Sequence, residues 1–398
     1  VSVSAAALED AGYLGENQKS ELPRARTGVI FANALGGENR NLSNQRIWAD
    51  NVVRKAKESG LPEDRLETFK ELLVEGLPRV DEDTMPGELA NVVSGRVANL
   101  LDLQGPNYST DAACASTFAA LLDACRLLQT RQVDMMLAGA SDKTMGPTTY
   151  AKFSSIGALS STHSTPFDAR ADGFVMGEGA GCMVLKRLSS AITDGDTIYS
   201  VIRGIGSSSD GRGKGITAPS KRGQAQAILR SYQQACYGPD SVQLIEAHGT
   251  STKVGDATEL NTLADVFTDV PTGDNVAVGS IKSQIGHLKA AAGMAGMLKA
   301  TLALFHKTIP PSAGFEQPNT SVEWDSIPFY VPTKPSDWDS PEDGNPRRAG
   351  ISSFGFGGTN FHCTIEEYSP QYHLNLAKEW NARRVAAFSL SSPKEYEN

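Results

Sequence analysis

Apolar residues at Phe118, Leu121, Leu122, Cys125 and Leu128 recur at i, i+3, i+4 and i+7, so they line one face of a helix starting at Ser116. Short apolar runs predict strands at Thr27–Ala32, Val133–Ala138, Ala180–Lys186, Thr197–Gly206, Val242–Glu246 and Val276–Gly279. Two more, Arg348–Ser352 and Asn360–Glu366, flank the Gly-rich turn Phe354–Thr359. Helices are predicted at Asn44–Ser59, Pro86–Leu101, Lys221–Cys236, Asp256–Phe267 and Ala290–Phe305, the last rich in Ala and Gly and suited to close packing. Val1–Gly12 reads as the end of a helix stopped by glycine. Asp102–Pro106 reads as a turn leading through Asn107–Asp111 to Cys114, Lys282–His287 as a loop, and Thr144–Ala171 as an irregular polar stretch long enough to bind something. Strand and helix alternate twice, so the class is α/β with two similar halves, expected over 1–240 and 241–368. The more polar stretch 369–398 is expected to be a linker toward a following domain.

Composition narrows the function. A chain of 398 residues with 40% hydrophobic content can bury two fused cores. The net charge is −9 and no run of Lys and Arg forms a nucleic-acid footprint. No stretch approaches the ~18 consecutive apolar residues of a membrane span. The five cysteines include no CxxC pair, which argues against a zinc site or disulfide framework, and a reducing cytoplasm is expected.

The candidate chemistry centres on Cys114, in Tyr108-Ser-Thr-Asp-Ala-Ala-Cys-Ala-Ser-Thr-Phe118. A thiol where a turn becomes a helix is expected to be pushed toward thiolate by unpaired N–H groups and the helix dipole. The other four cysteines read as small buried hydrophobes. His248 follows a strand and opens His248-Gly-Thr-Ser-Thr252, at the strand end where open α/β sheets bind ligands. Thr250 and Thr252 either hold the amides of an extended substrate arm or cap the next helix. His287 follows Lys282 by five residues; Lys282 is either a surface lysine or the holder of a carboxylate such as Glu259. The N–H groups of Gly355-Phe-Gly-Gly358 either build part of an oxyanion hole or close a tight hairpin. His163, His306, His362 and His373 read as structural.

These runs together resemble the β-ketoacyl synthase (ketosynthase) family of condensing enzymes. The matches are Asp111–Ser116, Pro166–Arg170 with Gly177-Glu-Gly179, Glu246–Thr252 with Gly255-Asp256, Lys282 to His287, and Ser353–Asn360, in the family's order. The resemblance is closest to ketosynthase domains of type I polyketide or polyunsaturated-fatty-acid-type synthases. It implies a thiolase-like fold: two similar halves in α-β-α-β-α layers, usually a homodimer. The family's opening strand is absent before Ala6–Gly12, so the first half is expected to lack a strand and the chain to be part of a longer polypeptide.

The resemblance also implies the roles. Cys114 takes the acyl chain from the phosphopantetheine of an acyl carrier protein, and the N–H groups of Cys114 and Phe356 hold the oxyanion. His248 and His287 stabilise the enolate of a malonyl-type extender as carbon dioxide leaves. Lys282 and Glu259 orient them, and Thr250 and Thr252 contact the phosphopantetheine arm. No metal or bound cofactor is implied; an adjacent acyltransferase is. Competing readings are a stand-alone fatty acid synthase condensing enzyme, a cysteine hydrolase, a coenzyme-A-dependent thiolase and a non-condensing ketosynthase-like subunit. For docking an acidic carrier protein, Arg347-Arg348 and Arg54-Lys55-Ala-Lys57 are the candidates, against a plain solvated face.

Overall fold

Alternating side chains on two sheets divide this protein into layers. The computed structural model describes residues 1–16, 18–212 and 215–376. Its first sheet contains β1 (Thr27–Ala32), β2 (Asn107–Thr110), β3 (Met135–Asp142) and β4 (Gly179–Lys186), in the order β2-β1-β3-β4. β1 is parallel to β2 and β3, and β4 is antiparallel to β3. The second sheet contains β5 (Val201–Ser209), β6 (Leu244–Glu246) and β7 (Val276–Gly279). A small separate ribbon pairs β8 (Thr308–Ile309) with β10 (Ser336–Asp337), and β9 (Phe329–Tyr330), β11 (Arg348–Gly355) and β12 (Thr359–Glu366) complete the second sheet. Its order is β5-β12-β11-β6-β7-β9.

The run β7-β6-β11-β12 repeats the parallel, parallel, antiparallel pattern of β2-β1-β3-β4. This is the internal duplication expected from the two-fold alternation. β5 flanks β12, whereas no strand flanks β4 among the described residues.

On β1, Ile30 and Ala32 face a central core while Val29 and Phe31 face an outer one, as a period of two requires. β6 divides the same way, with Leu244 inward and Ile245 outward. The central core is filled by helices Ser116–Gln129 and Ala292–His306, whose Phe118, Leu121, Met294 and Met297 meet residues of both sheets. The outer layers are Leu8 and Val97 on one side, and Ile228, Leu260 and Leu263 on the other. The α-β-α-β-α stack follows. Gly293 shows why the central helix is built from small residues: a Cβ there would stand 3.0 Å from Thr117.

The change of sheet falls between Lys186 and Val201. β5 and helix Lys221–Ala235 therefore pair and pack with the second sheet, not with the first half as a boundary at 240 requires; β5 hydrogen-bonds β12 across the gap in sequence. The strand β2 lies where the sequence shows only the exit from a turn. Its four residues carry no apolar run, and only pairing with β1 makes them a strand. Helix Pro147–Ser155 lies inside the stretch expected to be irregular, and Lys282–Ile285 forms one helical turn where a loop was expected. The helix expected from Asn44 starts at Glu38, Leu66–Val74 is a helix that was not anticipated, and Pro86–Leu101 is two helices, Thr84–Glu88 and Asn91–Leu101. Of the linker expected over 369–398, residues 377–398 lie outside the described residues, and His373 packs back onto Glu366 through Nε2 at 3.0 Å. Among the described residues no helix is long and apolar enough to cross a membrane.

Candidate active site

Cys114 sits in a short 3-10 turn, Ala113–Ala115, between the end of β2 and helix Ser116–Gln129. The turn is sharp. Ala113 has φ +51°, a left-handed conformation that costs a non-glycine residue roughly 1–3 kcal/mol and persists only when its surroundings enforce it. Here Asp111 Oδ1 accepts the N–H of Ala113 at 2.9 Å, and Ser116 Oγ accepts the N–H of Ala112 at 2.8 Å while donating to Ala113 O at 2.6 Å. The β11–β12 turn braces the same segment: Ser353 Oγ donates to Cys114 O at 2.8 Å and Thr359 Oγ1 to Ala112 O at 3.2 Å. Gly355 must be glycine for this approach, since a Cβ would stand 2.4 Å from Ala112 O.

The backbone N–H groups of Phe356 and Cys114 both pull the Cys114 thiol toward thiolate. They are the two donors expected for an oxyanion hole, and β11 and β12 are the strands that aim the first of them.

His248 stands just past β6, and its backbone is gripped from both sides. Glu259 accepts the N–H of His248 at 2.7 Å and of Gly249 at 2.8 Å, while Lys282 Nζ donates to His248 O at 2.6 Å. This corrects the expected Lys282–Glu259 pairing. No ion pair joins them among the described residues; each instead holds one end of the same peptide. Lys282 is 4% exposed, so it is not a surface lysine. Glu246, on β6, was not anticipated as a support. It accepts the N–H of Ile281 at 2.7 Å and pairs with Lys299 at 2.7 Å, fixing the residue before Lys282.

His287 is 1% exposed. Its Nδ1 accepts the backbone N–H of Lys289 at 2.9 Å, which leaves the proton on Nε2. The ring stands 5.7 Å from that of His248, nearly perpendicular to it, and 4.8 Å from Phe174. The Phe354 ring packs 5.7 Å from that of His248. Thr117 Oγ1 donates to Ala290 O at 2.8 Å, tying the helix after Cys114 to the segment after His287. The hydroxyls of Thr250 and Thr252 bond one another at 3.1 Å, and Thr252, although at the N-cap of helix Lys253–Val266, makes no side-chain cap bond.

Electrostatics runs partly against expectation. Burial pushes the Cys114 thiol up to about 11, while the Lys282 cation and the two N–H groups pull it down. The thiol is not pushed toward thiolate as expected, because burial outweighs the Lys282 charge and the two N–H groups. Cys114 keeps partial exposure, the opening a substrate needs. Alkylation of Cys114 by iodoacetamide is therefore expected to rise roughly tenfold per pH unit from pH 7 to 9; a plateau below pH 8 counts against a protonated resting thiol. Burial, reinforced by Lys282, holds both histidines well below 6.5, so both rings are neutral at physiological pH. Burial lifts Glu259 to about 7 against the two N–H bonds it accepts.

The residues set aside behave variously. Burial pushes the half-buried Cys125 and Cys182 to about 12 and the buried Cys363 well above 9, which keeps all three protonated. Cys236 differs: it is exposed at a helix end, not a small buried hydrophobe. His362 is buried and bonds Ser352 Oγ at 2.9 Å, whereas His163 and His306 are exposed. Arg347 and Arg348 are 7% and 3% exposed and paired with Glu367 and Glu366, so they form no docking patch; Arg54, Lys55 and Lys57 are exposed.

With this geometry in place, comparison with known proteins is direct. The β-ketoacyl synthase N-terminal domain matches residues 1–191, the C-terminal domain 199–316, and the ketoacyl-synthetase C-terminal extension 318–395. One polyunsaturated fatty acid synthase polypeptide of Thraustochytrium sp. is 43% identical over 93% of this chain and 13% of its own length. One phenolphthiocerol/phthiocerol polyketide synthase polypeptide of Mycobacterium tuberculosis is 40% identical over 82% of the chain and 22% of its own length. The chain thus spans a small part of these relatives. The ketosynthase from module 6 of the Bacillus subtilis bacillaene synthase superposes with a TM-score of 0.76 at 34% identity, covering 92% of this chain and 57% of that one. That from module 1 of the Bacillus amyloliquefaciens bacillaene synthase gives 0.75 at 31%, covering 92% and 60%. The chain belongs to the β-ketoacyl synthase family, with the thiolase-like fold and condensing-domain organisation of the ketosynthases of type I polyketide and polyunsaturated-fatty-acid synthases.

Proposed function

We propose that the domain carries out decarboxylative Claisen condensation between an acyl chain held on Cys114 and a malonyl-type extender, both delivered on the phosphopantetheine arm of an acyl carrier protein. The observation that carries this is a pair of neutral imidazoles with rings 5.7 Å apart, held under the same Lys282 charge that acts on the Cys114 thiol. In acylation, the Cys114 sulfur attacks the thioester carbonyl, the N–H groups of Cys114 and Phe356 hold the oxyanion, and the arm leaves as its thiol. In condensation, the bond from the extender's α-carbon to its carboxylate breaks and carbon dioxide leaves. The electron pair becomes an enolate accepting hydrogen bonds from His248 and His287. That carbon then attacks acyl-Cys114, forming the C–C bond as the C–S bond breaks and releasing the thiolate. Neutral rings suit the enolate step because they donate hydrogen bonds without protonating the carbanion. Lys282 and Glu259 serve by fixing the His248 peptide, and Thr250 and Thr252, whose hydroxyls bond one another while Thr252 makes no cap bond, meet the arm.

None of the other four cysteines lies among these groups, which disfavours a thiolase that needs a second thiol. Five free cysteines suit a reducing cytoplasm. The homodimer is supported by the edge position of the short strand β2 and by exposed Ile47, Trp48, Leu72 and Met85 on the helices between Glu38 and Glu88. The relatives' greater length supports neighbouring domains.

The test is product analysis. The domain is given an acyl thioester and a malonyl thioester of a carrier protein, and mass spectrometry follows the carrier. The expected product is the β-ketoacyl thioester, extended by two carbons. Release of free acid with no extended product would assign a cysteine hydrolase instead. Decarboxylation without extension would assign a non-condensing role.

A further inference from the structure

The mechanism leaves unused a second buried ion pair next to His287. Lys289 is 3% exposed and Asp142 is 1% exposed. The Lys289 ammonium lies 3.3 Å from Asp142 Oδ1 and donates to Gly177 O at 2.8 Å, with the Met145 sulfur 3.7 Å away. Buried ions this close to a reacting centre need a reason, because taking both from water costs stability that mutual attraction repays only in good geometry. Asp142 is incompletely satisfied: Oδ1 accepts the N–H of Thr144 at 3.0 Å, whereas Oδ2 is buried without a partner.

The backbone supplies the reason. Lys289 has φ +53°, a conformation a side chain with a Cβ avoids unless held there. That conformation sends its N–H to Nδ1 of His287 at 2.9 Å. What holds it is its own ammonium, anchored on Gly177 O, while the Gly177 N–H donates to His287 O at 3.0 Å. Three hydrogen bonds thus close a ring through His287, Gly177 and Lys289. Asp142, at the end of β3, ties that ring to the first sheet. The Lys289 charge also helps hold the His287 ring neutral.

We propose that Asp142 and Lys289 form a buried positioning pair that locks His287 in the tautomer and orientation with Nε2–H presented to the extender. Lys289 is a positioning residue: it acts through His287 and touches no substrate. The proposal rests on the condensation assigned to this site.

Two variants separate positioning from mere support. Lys289→Met removes the anchor but strands the Asp142 charge. Asp142→Asn with Lys289→Met removes both ions. Lys289→Met is expected to slow extender decarboxylation about ten- to hundredfold, as displacement of a reacting group does, while acylation of Cys114 stays within about threefold. The double variant is expected to regain thermal stability but not decarboxylation. In 15N-histidine-labelled protein, the His287 signals, assigned by their loss in His287→Ala, should show a single Nε2–H tautomer in the parent and a tautomer mixture in both variants. The pair is refuted if acylation and decarboxylation fall together, if the double variant regains decarboxylation along with stability, or if the tautomer does not change. A parent protein that fails to acylate Cys114 at all, yet shows the tautomer change, refutes the condensing assignment and leaves the positioning of His287 standing.

Discussion

With Cys114 replaced by alanine, incubation with an acyl thioester leaves no covalent adduct on the protein, and condensation falls on the order of 10⁴–10⁶-fold, as when a covalent nucleophile is deleted. The sulfur is the proposed acyl holder, and the N–H groups of Cys114 and Phe356 that act on it are the proposed oxyanion donors. Decarboxylation of the extender persists in this variant, because it draws on His248 and His287 and not on the thiol. The fold tolerates the change: Cys114 contributes its carbonyl to Ser353 and its place in the turn, and alanine keeps both. Intact-protein mass spectrometry reads the adduct and carbon dioxide release reads the second activity. A persistent adduct would move the nucleophile elsewhere. Loss of both activities in a folded variant would remove the division of labour between sulfur and imidazoles.

Replacing His287 by alanine has the second largest expected effect, with the opposite signature. Deleting one oxyanion donor costs about 10²–10³-fold, and that loss should fall on extender decarboxylation while acylation of Cys114 stays within a few-fold. Because burial and Lys282 hold the two imidazoles well below 6.5, the parent enzyme's decarboxylation should stay flat as pH falls from 8 to 6.5. Protonation sets in only at more acidic pH. Acylation should instead fall over the same range, following the high thiol. Measuring the two half-reactions separately against pH shows the two profiles. Equal loss in both half-reactions on removing His287 would count against its assignment to the extender.

The secondary structure was legible where a run of residues could declare itself. β1 and β7 lie where the apolar runs placed them, because a strand buried on both faces is marked by its own side chains. β2 was not legible. Asn107–Thr110 is polar and short, and its extended form depends on β1 as a neighbour. The helices between Glu38 and Glu88 were partly legible, since helices with few buried residues keep a weak apolar stripe.

The site divides along similar lines. The α/β alternation, the two similar halves and the candidacy of Cys114, His248, His287, Lys282 and Glu259 are written in the chain, since motif spacing and turn chemistry are relations between near neighbours. The remainder came from packing. It made Lys282 and Glu259 two grips on one peptide instead of a pair, and it raised the thiol where the helix start pointed to lowering it. It buried Arg347 and Arg348 beneath their carboxylate partners and placed Asp142 behind His287 through Lys289. One cause runs through all of these. Desolvation and charge interactions depend on which distant segments pack together, and that is set by the assembled sheets and not by any local run of residues.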